Sequence, residues 1–133
     1  MATRKEHDFI GELEISNDFY YGIQTFRATE NFHMSSRTLK EYPYFVKAFA
    51  QIKKAAALAN KEVGVLDPKI ADTLAKAADR VIAGEFLDQF VVDMVQGGAG
   101  TSTNMNANEV ITNIALESMG HKKGEYQYIH PND

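Results

Sequence analysis

Phe45, Phe49, Ile52, Ala56, Ala59 and Val63 recur every three or four residues, the period of one helix face and not of a strand. The spacing predicts a long helix with this stripe as its core face. Lys47, Gln51, Lys54 and Lys61 take the other sides, and Gly64 ends it. Ala55, Ala56, Ala57 and Ala59 favour helix and allow close packing. Asp67-Pro68 then restarts the chain as N-cap and first helical residue. Ile70, Leu74, Ala77, Ala78 and Val81 form the buried face of this second helix, and Gly84 closes it. A third helix is expected from about Asn104 to Met119, ended by Gly120. Before these, residues 1–20 read as a polar arm in which Leu13 and Ile15 alternate with Glu12 and Glu14, as in a half-buried strand. Tyr21 to Phe32 is ambiguous and fits a short helix through Ile23, Phe26 and Glu30. The fold class is mainly α, multihelical, with a short β-hairpin or extended N-terminal arm.

A chain of 133 residues with 44% hydrophobic side chains, including 8 Phe and 6 Tyr, suffices for one domain with a core. The formal charge of −4 and the lack of a basic run argue against nucleic-acid binding. Zero cysteines exclude disulfides and thiolate chemistry and are compatible with a reducing cytosol. The charged start, Met1 to Asp8, leads into no apolar segment, so no secretory leader is expected. No apolar stretch approaches the ~20 residues that span a bilayer. The expectation is a soluble, cytoplasmic protein without a membrane partner. His7, His33, His121 and His130 lack paired ligand spacing, so no metal site is expected. His121 is placed in the last turn of the third helix, where a cation is favoured. Lys47, Lys53, Lys54 and Lys61 read as a solvated helix surface.

Chemistry concentrates in Gln96-Gly97-Gly98-Ala99-Gly100-Thr101-Ser102-Thr103-Asn104-Met105-Asn106-Ala107-Asn108-Glu109. Three glycines in four positions let the backbone approach another group closely. Hydroxyl residues follow where a helix should start. Free N–H groups, hydroxyls and the positive helix end together suit an anion, phosphate or carboxylate. The bland alternative is a glycine turn followed by an ordinary helix cap. Against it stand Asn104, Asn106, Asn108 and Asn113, since asparagine costs a helix several tenths of a kcal/mol relative to alanine. Asn106, Glu109 and Asn113 share one face, a polar stripe suited to burial against partner helices. A dinucleotide loop fits poorly: the third glycine position is Thr103 and no acidic strand end follows. A phosphate-binding P-loop fails for lack of Gly-Lys-Ser/Thr.

The segment Gly98-Ala99-Gly100-Thr101-Ser102-Thr103-Asn104-Met105-Asn106-Ala107-Asn108-Glu109 resembles the long motif of the aspartase/fumarase superfamily, Gly-x-Gly-Thr-x-x-Asn-Met-Asn-x-Asn-Glu. The resemblance runs from about Glu12 to Asp133. Tyr20-Tyr21-Gly22, Arg27 to Phe32, Asp88-Gln89-Phe90, Gly97 to Ser102 and Gly124 to Tyr128 look like the aspartase branch. Ala99 stands where fumarases have Ser. His130-Pro131-Asn132-Asp133 instead resembles the fumarase wording.

This resemblance implies a lyase taking ammonia from L-aspartate to give fumarate, through an aci-carboxylate carbanion and with no cofactor. Thr101 matches a residue whose hydroxyl and amide hold the substrate carboxylate, with Gly100, Ser102 and Asn104 beside it. Arg27 matches an arginine near the active site, though a structural ion pair explains it equally well. His130, Asn132 and Asp133 match a second, non-catalytic anion site. Residues 1–133 then correspond to the N-terminal domain. The central helical bundle, the catalytic base and the C-terminal domain fall beyond Asp133, in a homotetramer whose active sites are shared between subunits. The ending at Asp133 suits a truncated chain as well as a natural end. The fragment alone is expected to be inert. The alternatives are the same domain of a fumarate hydratase, or a non-catalytic binding module retaining the fold.

Overall fold

The computed structural model describes residues 2–133, which form a two-stranded antiparallel sheet and four α-helices. Strands β1 (Thr3–Asp8) and β2 (Gly11–Ser16) pair from Thr3 opposite Ser16 to Asp8 opposite Gly11. Asp8 Oδ1 accepts the N–H groups of Ile10 and Gly11 at 2.9 and 3.1 Å and so builds the turn. In β2 the expected alternation holds: Ile15 is fully buried while Glu12 and Glu14 are exposed. Hydrophobic period does not reveal β1, because its inward face carries Arg4, Glu6 and Asp8. Backbone and charge satisfy that face. Arg4 donates to the carbonyls of Ser16, Phe19 and Tyr21 and to Glu6 Oε1, all within 3.0 Å.

Helix α1 (Ile23–Asn31) forms where a short helix was one reading. Its N-cap is Gly22, which has no side chain to cap with. Two distant carboxylates cap it instead. Glu109 accepts from Gly22, Gln24 and Thr25 at 2.8–3.0 Å, and Glu6 accepts from Ile23 at 2.8 Å. The first amides of the helix, otherwise unsatisfied, thereby find carboxyl oxygens to accept them.

Helices α2 (Pro43–Glu62) and α3 (Pro68–Ile82) lie side by side. Asp67 caps α3 as expected, accepting from Lys69 and Ile70, and Leu74, Ala77, Ala78 and Val81 are buried. The period read for α2 is correct, but its side is not. The face turned inward carries Val46, Ala50 and Ala57, whereas Phe45, Ile52, Ala56, Ala59 and Val63 are exposed and Phe49 is half-buried. Small residues on both helices allow close approach, and lysines close the seam: Lys54 pairs with Asp79 at 2.8 Å and Lys61 with Asp72 at 2.7 Å. The larger apolar residues are left outside. The lysine set is accordingly not one solvated surface. Lys47 is exposed, Lys54 and Lys61 bind α3, and Lys53 is turned toward Asn104.

Between α3 and the next helix, the chain makes one 3-10 turn, Leu87–Gln89, then runs extended. There Leu39 and Lys40 donate to the carbonyls of Val92 and Phe90, and Met94 donates to Arg37, tying two loops together. Helix α4 (Thr101–Ser118) threads the centre, with every residue from Asn106 to Leu116 buried except the partly exposed Asn108. It begins three residues before the expected start. His121 lies just past its end rather than in its last turn, stacked on Tyr128 with ring centroids 3.8 Å apart. No helix among the described residues is long and apolar enough to cross a membrane.

Candidate anion-binding site

Everything around Gln96–Asn104 is braced so that the start of α4 stays open. Asp93 accepts from the Ser35 hydroxyl and amide and from Val95 N–H, at 2.5, 2.9 and 2.7 Å. Those donors, the Ser35 hydroxyl foremost, hold the Asp93 carboxyl down at about 2. Gln96 then caps the helix from outside. Its Oε1 accepts Thr103 N–H at 2.9 Å, while Nε2 donates to Thr103 Oγ1 and to the Asp93 carbonyl. Gly98 and Gly100 both take positive φ, +84° and +81°, which carries the chain round into the helix. Thr103 and Asn104 amides are thus occupied, the latter by the Gly100 carbonyl at 3.0 Å. Thr101 and Ser102 are different. Their amides and hydroxyls meet no acceptor among the described residues, Thr101 is exposed and Ser102 half-exposed.

Thr101 opens onto a cleft of ≈ 530 Å³ lined also by Phe45, Phe49, Ala99, Gly100, Thr103 and Asn104. The sequence-derived Gly100, Thr101 and Asn104 meet there, with Ser102 alongside on the same first turn. The hydrophobic period marks Phe45 and Phe49 only as core. Lys53, one further turn along the same α2 face, was read as surface. It is half-buried, its Nζ donates to Asn104 Oδ1, and burial draws its pKa below the usual lysine value. The helical step Phe45, Phe49, Lys53 is the signal that groups the three.

Arg27 stands elsewhere. Its guanidinium pairs with Asp8 at 2.8 Å and reaches the Gly11 carbonyl at 3.3 Å, so it fastens α1 to the hairpin and does not line the cleft. Burial acts against the Asp8 carboxylate, but Arg27 and the Ile10 and Gly11 amides together keep its pKa below the usual range. His130, Asn132 and Asp133 come together in one turn: Asp133 accepts His130 N–H at 2.8 Å and His130 Nδ1 accepts Asn132 N–H at 3.1 Å. They line a smaller cavity of ≈ 150 Å³ with Lys53, Asn60, Asn108 and Thr112.

The polar stripe of α4 is buried, but against loops of this chain. Asn106 takes Val91 N–H on its oxygen and donates to the Gln89 carbonyl. Asn113 donates to the Tyr20 carbonyl and accepts from Gly124 N–H at 2.8 Å. Glu109, 1% exposed, is the cap of α1. Asn106, Glu109 and Asn113 therefore stitch the fold, which leaves Thr101, Ser102 and Asn104, beside Gly100, as the candidate ligand groups.

A loop of donors at a helix start, with a half-buried lysine bound to its Asn104, can hold a carboxylate or similar anion. Residues 11–133 match the profile of the Lyase family, and the chain belongs to that family. It is 62% identical over 130 residues to an aspartate ammonia-lyase of Helicobacter pylori, covering 98% of this chain and 28% of that one. The aspartate ammonia-lyase of Escherichia coli is 51% identical over 131 residues, covering 98% and 27%. Among solved structures, the fumarate lyase:delta crystallin from Brucella melitensis superposes with a TM-score of 0.96 at 52% identity, covering 99% of this chain and 31% of that chain. A class II fumarase from Schistosoma mansoni gives 0.85 at 33% identity, covering 93% and 26%. The chain spans little more than a quarter of the length of the relatives it matches.

Proposed function

We propose that this chain is the N-terminal, carboxylate-holding part of an aspartate ammonia-lyase, which takes ammonia from L-aspartate to leave fumarate. The observation that carries this reading is the unsatisfied first turn of α4, where the amides and hydroxyls of Thr101 and Ser102 meet no acceptor among the described residues and Thr101 lines an open cleft. The chemistry needs such a place. A Cβ proton is weakly acidic until the neighbouring carboxylate accepts a second negative charge, and preorganised donors around that carboxylate lower the barrier. A base removes the proton, the charge rests on the carboxylate, and the amine then leaves the adjacent carbon. No group on this chain is assigned that base, so the chain alone is predicted to be inactive.

The wider reading follows the same logic. In the cytoplasm the full protein works as a homotetramer with shared active sites, and the apolar stripe of α2 is covered by the rest of the assembly. Exposed apolar residues in a row commonly mark such surfaces, and here Ile52 and Val63 are 61% and 71% exposed. His130, Asn132 and Asp133 form a secondary anion site, their cavity also holding Lys53. Arg27 serves substrate binding only through the position of α1, since its guanidinium is committed to Asp8.

A fumarase reading has one supporting feature, the His130-Pro131-Asn132-Asp133 turn, against 51–62% identity to aspartate ammonia-lyases and 33% to the fumarase. The test is to replace the matching segment of the Helicobacter pylori relative by this chain and assay the product. Ammonia release from L-aspartate, with none from the 133-residue chain alone, is expected. Fumarate formation from L-malate in place of L-aspartate would overturn the assignment.

A further inference from the structure

Lys53 pairs with no carboxylate among the described residues, unlike Lys54 and Lys61 on the same helix. Instead its Nζ points at Asn104 Oδ1 from half-buried surroundings. An ammonium is donor-only, so it fixes which end of the Asn104 amide it meets: the oxygen must face the lysine. The Nδ2 donors are then turned away from Lys53, and they meet no acceptor among the described residues. Asn104 lines the cleft that Thr101 opens onto. With the positive charge behind it, the amide is polarised as a donor.

We propose that Lys53 is a positioning residue for the anion loop: it locks Asn104 with its N–H groups available to the substrate's carboxylate and adds positive potential behind them. This rests on the carboxylate-binding reading of the α4 first turn. Desolvation of the ammonium, which draws its pKa down, is consistent with an ion that relies on an incoming anion for its countercharge.

The experiment uses the graft of this chain onto the Helicobacter pylori relative. K53M is expected to lower kcat/KM for L-aspartate about tenfold or more, with KM rising and kcat falling together, because potential behind the carboxylate counts for more once that carboxylate takes its second negative charge. K53Q, which can still donate to Asn104 Oδ1 but carries no charge, should recover part of that loss. K53E, which would accept from Nδ2 and reverse the amide, should be worse than K53M. A purely structural lysine would instead lower the thermal midpoint and the active fraction with KM unchanged. Wild-type KM in folded K53M overturns the proposal while leaving the lyase reading intact. A wild-type graft that releases no ammonia removes both.

Discussion

Gly22 sits where a methyl group would overlap the Tyr126 hydroxyl oxygen and the Glu6 carboxylate, with Glu109 Cδ only 3.0 Å away. Space, not backbone conformation, demands glycine there. Gly22→Ala is expected to cost about 2–4 kcal/mol, through overpacking and disturbed capping bonds, in a urea unfolding experiment. The same cluster sets a pH dependence. Burial, chiefly, pushes the Glu109 carboxyl up to about 7 against the pull of its N–H donors. The group is therefore protonated in the fold between its ordinary range near 4.5 and about 7. Its stabilising contribution is complete below the lower value and fades as pH rises through about 7. Stability should fall by about 2 kcal/mol or more between pH 5 and pH 8, and E109Q should flatten that slope. Asp93 works in the opposite direction: held at about 2, it stabilises above its ordinary range and loses that contribution as pH falls toward 2.

Elements differ in how plainly the sequence announces them, and the reasons are local. Helix α3 is legible in its start, marked by Asp67 and Pro68, and in most of its inward face, though Ile70 is only half-buried and Ala71 and Ala75 are buried beside the expected residues. D67A should cost about 1 kcal/mol in thermal or urea unfolding through the lost cap. Helix α2 shows its period but hides its inward side, since alanines bury better against α3 than Phe45 or Ile52, and two lysines pair across the seam. Strand β1 is illegible to hydrophobic pattern because Arg4, Glu6 and Asp8 face inward and bind backbone or one another's partners. At the site, the donors at Thr101 and Ser102 are visible from glycine and hydroxyl chemistry. Lys53 is not, because nothing in spacing distinguishes a lysine aimed at Asn104 from one aimed at water. Gln96 likewise shows its role only in three dimensions, and Q96A is predicted to speed amide exchange across Gly97–Asn104 while leaving α3 protected.

As a whole, the molecule reads as a well-packed interior with an apolar flank. Its centre is the stretch of α4 from Asn106 to Leu116, buried but for Asn108, whereas most of the outward stripe of α2 is left exposed among the described residues. The isolated chain should self-associate with rising concentration in sedimentation experiments, and I52D should weaken that association without lowering the thermal midpoint. Its relatives are more than three times as long, and under the proposed function the stripe and the donor loop are both faces toward the remainder of that lyase. The decisive measurement is kcat/KM for L-aspartate in the graft carrying T101V beside T101S. If the α4 first turn holds the substrate carboxylate, T101V loses about a hundredfold or more and T101S stays within about tenfold of wild type. Equal activity of folded T101V and wild type would contradict the account.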